Sequence, residues 1–122
     1  MEIAESMFRS GKEPFEKGDV VQASERLYKV AEECIKALSL IAGLEEAGEA
    51  RTRSRWTLKL LDSAARRLAE IISEDILYVW DSAYYLHIEG FHEARLDPEA
   101  VEIRVKLIEK LLKITRKTIR KS

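Results

Sequence analysis

Residues 18–38, GDVVQASERLYKVAEECIKAL, contain the pattern that decides the fold of this chain. Their apolar side chains recur at steps of three and four residues, which is the spacing of a helix face that packs against neighbouring helices. These positions are Val20, Ala23, Leu27, Val30, Cys34, Leu38 and, just beyond the quoted stretch, Ile41. Asp19 and Gln22 come close to a capping box, and Gly18 before them ends the preceding segment. The pattern therefore predicts a helix that runs from Asp19 to about Ala42.

The rest of the chain has the same helical character, since it holds two prolines, five glycines and no β-type alternation. A first helix is predicted over about residues 2–17, with a kink near residues 11–14 because Pro14 removes a backbone donor. Residues 43–53, GLEEAGEARTR, form the most polar connector and are predicted to be a loop, although residues 44–50 could prolong a helix.

Two further helices are predicted in the middle of the chain. The third begins near Ser54 or Trp56 and continues to about Ile72. Ser73 is expected to cap the fourth, whose first turn is acidic, as the helix dipole favours. Gly90 is expected to end or bend this fourth helix.

The last helix is clearly marked, because Asp97 and Pro98 place a capping residue before a proline in the first helical position. It is predicted to run nearly to the C-terminus. Five amphipathic helices joined by short connections predict an all-α antiparallel bundle, with residues 1–122 as a single domain. The side chains expected in its core include Leu27, Trp56, Leu61, Leu68 and Trp80.

Composition indicates the cellular setting. Charged residues make up 35% of the chain, asparagine is absent and Gln22 is the one glutamine, an exchange of amides for charges that is typical of thermophilic proteins. The net charge of −1 provides no overall attraction to nucleic acid. The single cysteine, Cys34, cannot form a disulfide within the chain and fits a reducing cytosol. With no signal-peptide pattern and no apolar run of about 20 residues, we expect a cytoplasmic protein that does not enter a membrane.

Residues 80–101, WDSAYYLHIEGFHEARLDPEAV, gather the side chains most able to bind a ligand or move a proton. They include both histidines of the chain, and imidazole is the commonest general acid or base. The two histidines are five residues apart, not the four that place two imidazoles on one face of an α-helix. A metal site can be drawn with Glu89, Glu93 and Asp97, but no further His and no Cys supplies the usual zinc donors, so no metal site and no cofactor is predicted. The candidate ligand-binding residues are Tyr84, Tyr85, His87, His92 and Arg95.

Simpler interpretations stay open for these residues. His87 shares a helix stripe with Trp80, so it can equally be a histidine at the edge of the core that is bonded to a neighbour. Tyr84 and Tyr85 point about 100° apart around a helix, so one is expected in the core and the other beside a groove. The sequence has no glycine-rich phosphate loop, nucleophile elbow or paired-carboxylate motif, and no catalytic residue is assigned.

The last helix carries two further signals. Residues 104–122 contain eight basic residues against Glu109 alone, which could contact phosphates but equally complement the helix dipole and solvate the tail.

The apolar residues of the last helix form two stripes, so that one can face the core and the other a second copy of the chain, which predicts a homodimer. The first stripe is Val101, Val105, Ile108, Leu112 and Ile119. The second is Ile103, Leu107, Leu111 and Ile114.

Three segments together resemble the archaeal PaREP (Pyrobaculum repeat) family. They are residues 18–38, RWT at residues 55–57, and WDSAYYLHIEGFHEARLD at residues 80–97, and the resemblance covers about residues 4–112. It implies a thermoarchaeal source, in agreement with the composition. RLYKVAEECIKAL, residues 26–38, is also similar to a helix of HEPN domains, which are small helical bundles found beside nucleotidyltransferases and among toxin ribonucleases.

The second resemblance implies the HEPN-like fold without the ribonuclease chemistry. Those ribonucleases carry an arginine four to six residues before a histidine at a dimer interface, and no arginine stands there before His87 or His92. The expected function is a non-catalytic, homodimeric module that binds a nucleotide, an RNA or a protein partner. The alternative is a divergent ribonuclease or nucleotide-processing enzyme that uses His87 or His92 with Arg95.

Overall fold

A computed structural model describes residues 4–6, 8–9 and 19–122 of the chain, and every regular element in these ranges is helical. The predicted all-α bundle is therefore confirmed. Residues 4–6 and 8–9 are helical, as predicted, whereas the kink predicted near residues 11–14 lies outside the described residues. The elements over residues 19–122 are α1 (Val20–Ala42), α2 (Glu45–Arg53), α3 (Leu58–Ile71), α4 (Asp75–Tyr85), a π-helix (Leu86–His92) and α5 (Pro98–Lys121).

Helix α1 is the centre of the bundle and packs against every other helix named above. Its start is the predicted one, because the Asp19 side chain accepts a hydrogen bond from the Gln22 backbone N–H at 3.0 Å. Its end is fixed by Gly43, whose φ of +66° is a left-handed conformation that glycine adopts without strain. Leu27 and Leu38 on its apolar seam are fully buried, as predicted.

Helix α2 replaces the loop predicted at residues 43–53, so the loop is wrong, and the helical alternative over residues 44–50 is the better description, as a separate helix after Gly43. The segment is polar because only one of its faces is covered, and Ala47 and Ala50 are buried on that face. Glu45 in its first turn and Arg53 in its last turn complement the helix dipole. A short helix with so few apolar residues therefore resembles a connector when its sequence is considered alone.

Helices α3 and α4 begin close to their predicted starts. Thr57, rather than Ser54 or Trp56, precedes α3 and accepts a hydrogen bond from the Leu60 N–H at 3.2 Å. The hydroxyl of Ser73 accepts one from the Asp75 N–H at 3.3 Å, where α4 begins. Leu61, Leu68 and Trp80 are buried as predicted, while Trp56 is half-buried against the core.

The α-helical hydrogen bonding of α4 ends at Tyr85, and the chain continues as a π-helix through Gly90. Gly90 was predicted to end or bend this helix, and termination at Gly90 is wrong because the π-helix continues to His92. Gly90 allows a close approach to α1, since a Cβ at this position would lie 2.5 Å from the Ser24 Cβ and closer still to its hydroxyl oxygen. The π-helix is followed by Ala94, whose φ of +53° turns the chain towards α5.

Helix α5 begins as predicted, with the Asp97 carboxylate accepting from the Ala100 N–H at 2.9 Å. The second apolar stripe is not free for a partner, because Leu111 is fully buried and Leu107 and Ile114 pack against the core. Of that stripe, Ile103 alone is exposed. None of the helices in the described residues is both long enough and apolar enough to cross a membrane.

Candidate functional site

The π-helix brings the two histidines of the chain together. Residues five apart point in different directions on an α-helix, whereas a π-helix has a wider turn closed by i→i+5 hydrogen bonds. The Nε2 atoms of His87 and His92 lie 3.1 Å apart, and the two rings meet edge to face with centroids 4.5 Å apart. The sequence analysis assumed an α-helix, on which two imidazoles five residues apart do not share a face. That expectation is wrong here because residues 86–92 form a π-helix.

A carboxylate from α1 holds the first histidine. Glu25 Oε1 lies 2.8 Å from His87 Nδ1, and both side chains are partly buried. Since an ionised carboxylate only accepts hydrogen bonds, His87 Nδ1 carries the hydrogen and donates it. In the tautomer with the hydrogen on Nδ1, the Nε2 atom of His87 carries a lone pair, and this atom lies 3.1 Å from His92 Nε2. We call these three side chains the Glu25–His87–His92 chain.

Aromatic rings surround His87. The Tyr28 ring stacks on it with centroids 4.2 Å apart, and the Phe91 and Tyr84 rings lie 6.2 and 6.1 Å away. Burial, with the nearby carboxylate of Glu32, raises the pKa of Tyr28, so its phenol stays protonated. These contacts fix the orientation of the His87 ring, while the His92 side chain remains exposed.

The structure unites three of the five candidate residues and places the other two in separate contacts. Tyr84, His87 and His92 belong to the cluster described above. Tyr85 is exposed and lies under the Arg104 guanidinium, 4.3 Å from its ring centroid. The Arg95 guanidinium forms ion pairs with Glu89 and Glu93, at 3.0 and 3.2 Å. His87 also satisfies the simpler interpretation of a histidine bonded at the edge of the core.

Sequence reasoning missed the two residues that α1 contributes, Glu25 and Tyr28. Their spacing of three residues places them on one face of α1, and this was the available signal. This signal is weak, because several other carboxylates of α1 also lie three or four residues from apolar or aromatic residues. Only the packing of the π-helix on α1 distinguishes Glu25 from them.

A groove of about 360 Å³ lies between α3 and α4, and we call it the α3–α4 groove. Tyr84 belongs to both this groove and the surroundings of His87. Cys34 takes no part in either site, because it is buried in the core and burial raises the pKa of its thiol to about 12. The residues that line the α3–α4 groove are Leu58, Lys59, Asp62, Trp80, Asp81 and Tyr84.

These features define the class of the protein as a small all-α bundle with one central amphipathic helix and a histidine pair on a π-helix. The chain belongs to the archaeal PaREP1/PaREP8 family, whose model matches residues 1–112. A crystal structure of a Sulfolobus solfataricus protein is 34% identical to it, covers 95% of both chains and superposes with a TM-score of 0.90. A solution structure of the same structural-genomics target is also 34% identical, covers 95% of this chain and 90% of that one, and has a TM-score of 0.84. Among curated proteins, none matches the chain.

Proposed function

We propose that this protein is a non-catalytic, HEPN-like binding module whose ligand is a nucleotide, with the base in the α3–α4 groove. The observation that carries the proposal is the lining of that groove. Tyr84, which is half-buried, offers a ring face or edge to a planar base, while Trp80 lines the groove from within the core. Asp62 and Asp81 can accept hydrogen bonds from the N–H groups of a base, and Lys59 can pair with a phosphate. The volume of about 360 Å³ lies in the usual range for small-molecule sites.

The engagement of the other polar candidates supports binding over catalysis. Both ring nitrogens of His87 already have partners, in Glu25 and His92. The Arg95 guanidinium, which the enzyme alternative needs for a phosphate, is paired with two carboxylates. A ribonuclease would have to break these pairs before either group could act on a substrate.

The nucleotide proposal is tested by calorimetric titration of the protein with each nucleoside monophosphate. Tyr84→Ala should weaken binding by about 1–3 kcal/mol, as expected for the loss of one stacked ring. Tyr78→Ala is the matched control, because Tyr78 is an exposed tyrosine of the same helix that does not line the groove. Absence of binding by the parent protein, or equal binding by the Tyr84 and Tyr78 variants, would contradict the proposal.

We further propose that the module is a homodimer that uses the face formed by α4 and α5. Asp75 pairs with Lys110 at 3.1 Å and Tyr85 contacts Arg104, so the two helices run side by side in opposite directions. Their common face exposes Tyr78, Tyr85 and Ile103. A two-fold axis would place this face of one copy against the same face of the other, which would cover Tyr78, Tyr85 and Ile103.

Light scattering coupled to size exclusion tests the dimer. Ile103→Glu should shift the protein to a monomer, because it buries a charge in the apolar part of the proposed interface. Ile71→Glu is the matched control, since Ile71 is 59% exposed and Ile103 58%, but Ile71 lies on α3. A monomeric parent protein, or a dimer that survives the Ile103 change, would contradict this interface.

The enzyme alternative deserves its own test because the Glu25–His87–His92 chain links a carboxylate to two imidazoles. Such a chain can move a proton from solvent-exposed His92 towards Glu25. Purified protein would be incubated hot with labelled RNA and with nucleoside triphosphates, beside His87→Ala and His92→Ala. We expect no turnover. Cleavage that the parent performs and that His92→Ala slows by about 10²–10⁴-fold would favour the enzyme.

The proposal also covers the setting of the whole chain. One cluster of buried apolar side chains supports a single domain over residues 1–122. A buried, protonated Cys34 supports a reducing cytoplasm. A charged fraction of 35% without asparagine supports a thermophilic source, and a melting temperature above about 90 °C would agree with it.

A further inference from the structure

We propose that His87 and His92 bind a divalent transition-metal ion through their Nε2 atoms. Imidazole nitrogens bind such ions at about 2.0–2.1 Å, so two of them in adjacent coordination positions lie about 3 Å apart. The Nε2 atoms are 3.1 Å apart. The separation of the two nitrogens thus matches that of a two-histidine chelate.

Glu25 supplies the support that a metal-binding histidine usually has. A histidine ligand commonly donates its second ring N–H to a carboxylate, which fixes the tautomer and raises the basicity of the coordinating nitrogen. The 2.8 Å contact from His87 Nδ1 to Glu25 does this and leaves Nε2 as the coordinating atom. The stacked Tyr28 ring, 4.2 Å away, restrains the same imidazole.

The π-helix is a second, independent reason to assign a role to the pair. Short π-helical stretches are rare, and they occur frequently at functional sites. In this chain the stretch Leu86–His92 ends on the second histidine and gives the pair its common face. Glu89 on the π-helix and Glu93 just after it form ion pairs with Arg95 instead.

The chemistry of the donors selects the ion. Within residues 4–6, 8–9 and 19–122, no group of three His, Cys, Asp or Glu side chains forms a closed metal cage. Two imidazoles therefore leave coordination positions for water or a small ligand. Such a site suits Cu²⁺ or Ni²⁺ best, because imidazole nitrogen favours both ions and their affinities exceed those of earlier divalent metals.

The test is calorimetric titration of tag-free protein with Ni²⁺ and with Cu²⁺ in a non-chelating buffer. Background is low because the chain has no other histidine and its one cysteine is buried. We expect one ion per chain, and loss of binding in both His87→Ala and His92→Ala. Electron paramagnetic resonance of the Cu²⁺ complex should show coupling to two imidazole nitrogens.

Two carboxylate variants of α1 show whether Glu25 acts by orienting the His87 ring or only by adding negative charge near the metal. Glu25→Gln should weaken binding by about 10–100-fold, as expected for loss of a supporting carboxylate. Glu33→Gln removes a carboxylate of α1 that pairs with Lys36 instead, and it should leave binding unchanged. Parent-like metal affinity in folded His92→Ala, or no binding by the parent, would overturn the proposal. Lys59→Ala should impair only nucleotide binding, so the two proposals fail separately.

Discussion

Gly90→Ala tests the contact on which the π-helix depends. A Cβ at position 90 would lie 2.5 Å from the Ser24 Cβ and 3.2 Å from Leu96 Cδ1. Carbon atoms in contact are normally about 3.5–4.0 Å apart, so the π-helix and α1 would have to separate by about 1 Å. The Ser24 Cβ cannot rotate away, because it is bonded directly to the backbone of α1.

The expected cost follows from two opposing effects. Overpacking costs about 1–3 kcal/mol, and we take the upper end because the obstacle is fixed. Replacing a helical glycine by alanine recovers roughly 0.5–1 kcal/mol of backbone entropy. Gly90→Ala should therefore destabilise the protein by about 2 kcal/mol in urea unfolding. It should also weaken metal binding, because the same separation lengthens the contact between His87 and Glu25.

Two further variants make this prediction falsifiable. Gly48→Ala is the matched control, since nothing lies within 4 Å of its added Cβ, and it should stabilise the protein by roughly 0.5–1 kcal/mol. Ser24→Gly removes the obstacle, so it should cost less in the Gly90→Ala background than in the parent. If Gly90→Ala stabilised the protein as Gly48→Ala does, the close packing of the π-helix on α1 would be refuted.

Three other predictions concern the bundle. Leu68→Ala should cost about 2–5 kcal/mol in chemical unfolding, because its fully buried side chain leaves a cavity. Ser54→Gly should raise the unfolding free energy by about 1 kcal/mol, because φ of +58° strains any residue with a Cβ. Burial raises the pKa of Glu46, but hydrogen bonds from Ser63, its own backbone N–H and Arg67 outweigh burial and hold that pKa below 4.5. This carboxylate therefore stabilises the fold above about pH 4.5, and its contribution is lost as the pH falls through the folded-state pKa. Glu46→Gln should accordingly flatten the slope of unfolding free energy against pH in that acidic window, measured by urea titrations.

Much of the fold could be predicted from the sequence, because local signals and the fold agree. The Asp19 and Asp97 caps are short-range features, and the structure contains both. The apolar residues of α1 recur at steps of three and four, and this spacing places them on one face only if the segment is a helix. Helix α2 was not predicted with the same clarity because its local signals are weak. Its two buried alanines are too few to produce a helical spacing of apolar residues.

The candidate site could be predicted only in part, because it depends on two tertiary effects. His87 and His92 were identified as residue types, but their meeting requires a π-helix, for which a single sequence carries no reliable period. Glu25 lies 62 positions from His87 along the chain, and nothing local links them. Gly90 was correctly singled out, yet its role is the close approach to α1 rather than helix termination.

The location of the π-helix explains why the histidine pair and the stability of the bundle should be coupled. An α-helix through residues 86–92 would keep its hydrogen bonds in their commoner form but would turn His92 away from His87. Two contacts with α1 hold the wider turn. Gly90 packs closely against Ser24, and the Glu25 carboxylate accepts a hydrogen bond from His87. Both restraints come from the first two turns of α1, the central helix of the bundle. A ligand that binds only when the two imidazoles meet must therefore stabilise the native state by RT ln(1 + [L]/Kd), an amount that rises with the concentration of free ligand. Addition of Ni²⁺ should raise the melting temperature of the parent protein and of Glu33→Gln, and leave that of His92→Ala unchanged. An equal rise in all three proteins would show that the metal acts elsewhere on the surface.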